Sequence, residues 1–270
     1  MERKLEKELS ESNAKVRTED IRRRQTELLK LILSLYLRML KFTAPSHLLS
    51  SVLKGLAKIA PLLNVDYFMA LLKVLEQLLR RELKFEDSLY CLKAVFHMYS
   101  TQETSLLDLS VFSSALYKLL LELPRNLGKA ELLINCLQTF LIHNFLFGIN
   151  RYAGFVKRMA AMALRVPPNV ALALLSLIYK IVQRNSKLLR MFDEEIIGCG
   201  VYLPAAKDPE VSNALSSSLL EELGALKSNP HSHVRDFANE LIKRGSDDFG
   251  RARLLPLHLR KDPLEFLQIQ

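Results

Sequence analysis

The chain has 270 residues, 49% of them hydrophobic, and only 9 glycines and 10 prolines. This length supports one large or two small hydrophobic cores, and the composition argues against an all-β or loop-rich protein and against disorder outside the ends. The net charge of +9 and the isoelectric point near 9.4 bear on partners rather than on fold.

Residues 1–20 are mixed in charge and weakly apolar, which fits either a frayed helix or a linker. The charged start, without an apolar core, indicates that no secretory signal is present. A first helix is predicted from Ile21 to Lys41, before Pro45. Its polar residues share one narrow stripe, so we expect this helix to be buried on most sides. The stripe consists of Lys30, Ser34, Arg38 and Lys41.

The remaining chain is predicted to be a series of helices joined by short connections. They are expected at about 46–60, 64–81, 85–100, 107–123, 129–147, 151–165, 168–184, 209–227 and 230–244. No run alternates apolar and polar residues with β-branched content, so almost no strand is expected. Taken in pairs, the helices recur at irregular intervals of about 35–60 residues, near the repeat lengths of HEAT and armadillo arrays.

These features predict an all-α protein, a HEAT/armadillo-like α-solenoid of stacked helical hairpins. A single compact bundle is the alternative, although the helices are too many for one simple layer. We divide the chain into an N-terminal extension (1–20), one solenoid domain (21–245) and a C-terminal tail (246–270). The tail contains a short helix near residues 262–267 that docks back or binds a partner.

Leu132 to Ile149 is the longest run without charge. It reaches the lower length of a membrane span, roughly 18 residues. Polar residues interrupt it, so a buried helix is the better interpretation and no membrane partner is expected. The three cysteines lie far apart and show neither disulfide nor metal spacing, which fits a reducing compartment. They are Cys91, Cys136 and Cys199.

Two helix starts near the C-terminus have clear capping signals. Asp208 precedes Pro209, a good N-cap followed by a proline at the first helical position, and Asn229 repeats the pattern. The last helix presents an apolar face on which Phe237 and Leu241 are predicted to be buried. Gly245 suits a C-terminal cap.

Chemistry typical of enzymes is not found. Gly198-Cys199-Gly200 lacks a preceding strand and a third glycine, so it is not a phosphate-binding loop, and Cys199 has no paired base. His231 and His233 are two positions apart on different helix faces and fit no metal pattern. The carboxylates at 193–195 and 221–222 are adjacent rather than facing pairs. We therefore expect no enzyme activity, no metal, no cofactor and no small-molecule substrate.

A basic block is the feature with most physical content. Between Leu132 and Phe192 there is no acidic residue. If two neighbouring helices are antiparallel, the basic side chains could form one outward cationic ridge that contacts nucleic-acid phosphate or an acidic partner. A solvated surface, or internal pairing with the acidic residues from Asp193 to Glu195, is the alternative. The ridge residues are Arg151, Lys157, Arg158, Arg165, Lys180, Arg184, Lys187 and Arg190. No aromatic residues interleave them, so stacking of single-stranded bases is not supported.

The order of several segments between Gln25 and Gly245 resembles the CCAAT-binding-factor-type domain of nucleolar ribosome-assembly factors. The signature residues are Gly198, Gly200, Val201, Tyr202, Asp208, Pro209, Asn213, Ala214, Leu215, Ser218, Leu219 and His231. One departure is that the family's Leu-Trp-Glu-Leu is replaced by Leu219-Leu220-Glu221-Glu222-Leu223, and the chain has no tryptophan. A contact that depends on that tryptophan would be lost.

The resemblance implies a non-enzymatic scaffold of the nucleus and nucleolus, active in assembly and intranuclear transport of the large ribosomal subunit precursor. It also implies two kinds of partner: a second nucleolar complex protein, and pre-ribosomal RNA or particles. Two alternatives are a chromatin-associated factor for the initiation of DNA replication and a helical-repeat transport adaptor.

Overall fold

A computed structural model describes residues 2–41, 46–62, 65–81, 83–100, 108–142, 147–193, 201–246 and 255–268. Within these ranges the regular structure consists of α-helices and short 3-10 turns, and no strand occurs in them. The prediction of an all-α protein is therefore confirmed.

Eleven α-helices follow one another in the described part of the chain. They are α1 Glu2–Lys41, α2 Ser46–Ile59, α3 Val65–Leu79, α4 Phe85–Ser100, α5 Ser110–Glu122, α6 Ala130–Ile142, α7 Ile149–Ala163, α8 Pro168–Arg184, α9 Leu220–Leu226, α10 Ser232–Ser246 and α11 Pro263–Phe266. Both ends of α4 and α8 agree with the prediction, and α2, α3, α5, α6 and α7 agree within about five residues at each end. Residues 64, 107 and 143–146 of the predicted helices lie outside the described part of the chain.

The helices pack in two rows. In one row α2 contacts α4, α4 contacts α6 and α6 contacts α8, while in the other α1 contacts α3, α3 contacts α5 and α5 contacts α7. Contacts of α1 with α2, α3 with α4 and α7 with α8 join the rows. Aromatic side chains fill part of the space between them: the ring of Phe140 lies 4.5 Å from that of Phe96 and 5.9 Å from that of Phe155. These helices therefore share one continuous core.

The first helix differs from its prediction in length and in burial. It begins at Glu2, so residues 2–20 are helical rather than a linker. Among residues 18–41, the part of α1 whose burial is described, only Leu33 and Leu40 are buried, whereas Leu28 and Leu31 are 58% and 66% exposed. The expectation that it is buried on most sides is wrong, because α1 contacts its neighbours α2 and α3 along one side.

The predicted helix from Pro209 to Lys227 is also wrong. Residues 209–212 and 214–216 form 3-10 turns, and α-helix begins only at Leu220. Asn213 has φ = 54°, the left-handed conformation that interrupts a helix. The hydroxyls of Ser212 and Ser217 donate to the carbonyls of Pro209 and Ala214, an alternative to helical hydrogen bonding. A serine-rich composition thus favours turns here.

The last long helix, α10, has the predicted apolar face. Phe237 and Leu241 are fully buried, as predicted, and the Phe237 ring lies 6.3 Å from that of Phe266 in an edge-on arrangement. The helix continues to Ser246, so Gly245 lies inside it rather than capping it. A side chain at Gly245 would overlap the ring of Phe192, so glycine permits close packing here.

The C-terminal segment around α11 docks on α6 and α8. Asp262 accepts hydrogen bonds from the Nζ of Lys180 at 2.6 Å and from the amide of Gln138 at 3.2 Å. The hydroxyl of Ser176 donates to the carbonyl of Lys261 at 3.3 Å. One of the two predicted roles of the tail helix, docking back on the body, is thus the one found.

None of the described helices is long and apolar enough to cross a membrane. The uncharged run that begins at Leu132 lies mainly in α6, whose apolar side chains are buried against neighbouring helices.

Candidate nucleic-acid interface

The predicted basic residues do not form one surface ridge. Lys157 and Arg158 are buried and Arg151 is nearly so, whereas four others are exposed. The exposed residues are Arg165, Arg184, Lys187 and Arg190, and Lys180 is partly buried. The expectation that all these charges face outward is wrong, because an irregular segment covers α7. We call this segment, residues 201–219, the arm.

Arg158 joins α7 to both α5 and the arm. One terminal nitrogen donates to the carbonyl of Tyr117 at 2.7 Å, and the other donates to the carbonyls of Pro204 at 2.7 Å and Ala206 at 3.0 Å. Its guanidinium carbon lies 3.2 Å from the centre of the Tyr117 ring. A buried charge requires such compensation, since desolvating a cation without partners costs several kcal/mol. Arg158 therefore has a structural role.

Lys157 fixes the far end of the arm. Its Nζ lies 2.7 Å from the carboxylate of Glu222, at the start of α9, and also donates to the carbonyl of Ser218. Both side chains of this ion pair are largely removed from solvent, at 4% and 13% exposure. The partner of Lys157 is thus Glu222, one of the adjacent carboxylates at 221–222. Glu194 and Glu195, named in the internal-pairing alternative, lie outside the described residues.

A third contact joins the start of α7 to the arm. Arg151 forms an ion pair with Glu210 at 3.0 Å and lies over the ring of Phe147 at 5.0 Å. One helical turn further, Gly154 lies against Pro209: a Cβ atom at Gly154 would be 2.6 Å from the carbonyl oxygen of Pro209. The basic residues of α7 and the glycine at position 154 thus allow the arm to pack closely on this helix.

The exposed part of the predicted ridge lies mainly at the end of α8. Arg184 donates to the carbonyl of Ile142, the last residue of α6. Together with Lys187 it lines a cavity of about 340 Å³ next to Tyr152. Arg165 lies separately, in the turn just after α7.

Most described signature residues belong to the arm. The Asp208 carboxylate accepts a hydrogen bond from the amide of Glu210 at 3.0 Å, so the predicted cap begins a 3-10 turn. The hydroxyl of Tyr202 lies 3.5 Å from that of Tyr117. Pro209, Ala214 and Leu219 are buried, Leu215, Ser218 and His231 are partly buried, and Val201 and Asn213 are exposed. Gly198 and Gly200 lie outside the described residues.

A group of lysines that sequence analysis missed lines a second and larger cavity, of about 600 Å³, between α2, α4 and the start of α6. We call it the lysine groove. Lys54 and Lys58 come from α2, Lys93 and His97 from α4, and Lys129 from the turn before α6. Four lysines face one lining carboxylate, Glu131. The i, i+4 spacing of these basic residues on α2 and α4 could have indicated the groove. Both helices, however, lie outside the region from 132 to 192 that has no acidic residue.

A second missed group joins α10 to the segment before α11. His233, Asp236 and His258 place one nitrogen or oxygen atom each within 4.8 Å of one another. The His233 ring lies 5.4 Å from that of His231 and 5.2 Å from that of His258. The sequence predicted that His231 and His233 lie on different helix faces. Because His231 precedes the first residue of α10, that prediction does not apply and the two rings lie close together. His258 comes from a distant part of the chain, which spacing alone could not indicate.

The described cysteines are not suited to nucleophilic chemistry. Cys91 and Cys136 are fully buried. Burial raises the pKa of Cys136 to about 12 and raises the pKa of Cys91 as well, so both remain thiols near neutral pH. Cys199, the predicted exposed thiol, lies outside the described residues.

The fold and these contacts define a basic protein, all-α in the part of the chain that the structure describes, in which buried cations attach an irregular arm to the helical body. The chain belongs to the CBF/Mak21 family, whose model matches residues 88–238, from α4 to the middle of α10. The predicted resemblance to the CCAAT-binding-factor-type domain is thereby confirmed.

Curated relatives carry closely similar names. The chain is 35% identical over 272 aligned residues to "Nucleolar complex protein 3 homolog" of Mus musculus and 36% identical over 273 to that of Homo sapiens, in both cases over 99% of this chain. It is 28% identical, over 90% of its length, to "Nucleolar complex-associated protein 3" of Schizosaccharomyces pombe. The chain spans about a third of these relatives' length: 34% of each of the first two and 38% of the third.

Proposed function

We propose that this chain is a non-enzymatic scaffold of the nucleolus that takes part in assembly and intranuclear transport of the large ribosomal subunit precursor. The main support is the similarity, along 99% of the chain, to proteins named as parts of a nucleolar complex. The partners we propose are a second nucleolar complex protein and pre-ribosomal RNA or particles. The location is the nucleolus within the nucleus.

The architecture proposed for this scaffold is a HEAT/armadillo-like α-solenoid. The two rows of helices, in which each helix contacts the next but one, support it, because stacked helical hairpins pack in this way. Such arrays offer extended surfaces on which several partners can bind. The extension, solenoid domain and tail predicted from the sequence remain a prediction.

The lysine groove is the site at which we place contact with RNA phosphate. Lys54 and Lys58 are exposed, one helical turn apart, and Lys93 faces the same cavity from α4. Lys129 is partly neutralised by Glu86 at 2.7 Å, which leaves the other three as the main source of positive potential. Lysine ammonium groups in a concave surface attract phosphate without reading sequence. The groove therefore suits an RNA phosphate backbone better than particular bases.

The exposed members of the predicted ridge form a proposed secondary contact. Arg184 and Lys187 line their own cavity, and Arg165 and Arg190 lie on the surface. Arg151, Lys157 and Arg158 cannot bind an external phosphate while the arm is docked, because their hydrogen bonds and ion pairs are internal.

Crosslinking followed by purification of the protein tests the function. We expect pre-ribosomal RNA to be enriched over chromatin; enrichment of chromatin would instead support the replication alternative, and recovery of neither would favour a transport adaptor.

The groove is tested separately by RNA binding at several salt concentrations. Because each lost phosphate contact lowers the salt slope by about 0.7–0.9, a double Lys54→Glu, Lys58→Glu variant should lower it by roughly 1.5. The control, Lys227→Glu with Lys243→Glu, makes the same charge change at exposed sites outside the groove. Equal salt slopes for the two variants would show that the lysine groove does not contact RNA phosphate. That result would not bear on the proposed scaffold function.

A further inference from the structure

We propose that His233, Asp236 and His258 form a binding site for a divalent transition-metal ion, with zinc as the best chemical match. His233 and Asp236 are three residues apart on α10, so their side chains lie on the same face. His258 lies in the 3-10 turn Leu257–Leu259 and meets them from another segment. Two imidazoles and a carboxylate are ligands typical of zinc, with a fourth position open.

The geometry requires only small adjustments. The three ligand atoms lie within 4.8 Å of one another. Around a tetrahedral zinc ion with bonds of about 2.0–2.1 Å, ligand atoms are about 3.3 Å apart. All three side chains are exposed, so rotation about their own bonds can close that difference without disturbing the core. Hard cations such as Mg²⁺ and Ca²⁺ are disfavoured, since they require mostly oxygen ligands.

His231 gives independent support. Its Nδ1 atom is buried and has no hydrogen-bond partner within the described part of the chain. Buried polar atoms are normally paired, so an unpaired one calls for an explanation. Because its ring lies 5.4 Å from that of His233, His231 is placed to complete the coordination after a change of rotamer. Three of the chain's six histidines thus gather at one place.

The physical consequence is a tie between two segments. The metal would connect α10 to the segment that leads into α11, and α11 packs on α6 and α8. Since the folded state alone brings these ligands together, binding would stabilise folding by mass action. The proposal does not depend on the proposed function.

The test uses the full chain without any histidine tag, freed of metal by chelation and dialysis. Zinc titration by calorimetry should give one ion per chain, and Co²⁺ should give visible absorption typical of four-coordination. Zinc in excess should raise the melting temperature. His233→Ala, His258→Ala and Asp236→Asn should each weaken binding at least tenfold, and His231→Ala should weaken it by less.

His97→Ala, which removes a histidine of α4 that is not part of the cluster, is the matched control and should bind zinc as the parent does. Because the three ligand positions are exposed, their variants should retain the parent's circular dichroism spectrum. Zinc affinity that is unchanged in both His233→Ala and His258→Ala would overturn the proposal. So would weak binding of several ions per chain, the behaviour of scattered surface histidines only.

Discussion

Replacing Arg158 by methionine should release the arm from α7. The substitution keeps much of the side chain's volume but removes three hydrogen bonds to carbonyls and the stacking on Tyr117. Hydrogen bonds from a charged donor contribute about 1.5–3 kcal/mol each. The variant no longer has to desolvate a guanidinium group, and this offsets several kcal/mol of that total. We expect a net loss of about 3 kcal/mol in the free energy of unfolding.

Two assays separate a local effect from a global one. For a chain of this size the loss should lower the melting temperature by roughly 6 °C. Because two of the three carbonyls belong to the arm, amide hydrogen exchange should accelerate most in residues 202–216. Arg165→Met, an exposed arginine seven residues further along, is the control and should change stability by less than about 0.5 kcal/mol. If Arg158→Met melts like the parent and the arm exchanges no faster, the structural role of Arg158 is wrong.

Three further predictions concern packing. Phe237→Ala or Leu241→Ala should each cost about 2–5 kcal/mol in urea unfolding, and melts like the parent's would contradict their burial. Gly154→Ala should destabilise and speed exchange in the arm, whereas Gly224→Ala, with open space around it, should stabilise by up to about 1 kcal/mol; the same sign for both would refute the close-approach argument. Cys136 should react with an alkylating reagent only after unfolding, as peptide mass spectrometry can measure, and rapid native labelling would show that it is accessible.

The sequence predicted well those features that depend on local periodicity. Apolar faces located α2 to α8, and the spacing of Phe237 and Leu241 correctly indicated the buried side of α10. The prediction from sequence failed where a side chain can form two kinds of hydrogen bond of similar free energy. The serines of the arm are compatible with a helix or with side-chain hydrogen bonds to nearby carbonyls. Because Asn213 adopts the left-handed conformation, the helix is interrupted and the segment forms turns.

Features made by distant segments could not be read from local patterns. Arg158 looked like a surface cation because its partners are carbonyl groups, which every residue has. The lysine groove and the contact of His258 with His233 each combine residues from separate segments of the chain. The burial predicted for α1 was too high, because its apolar residues lie on more faces than its neighbours α2 and α3 cover.

The docking of the arm on α7 has a consequence for the order of events during synthesis. Lys157 is made 65 residues before its partner Glu222, and Arg158 is made 46 residues before Pro204. At about 5–20 residues per second, the newly made helix would wait about 3–13 s for the last of these partners. Until then α7 would carry cations that cannot enter the core without uncompensated charge. The stacking of the earlier helices can proceed, but α7 becomes a stable part of the body only when the arm arrives.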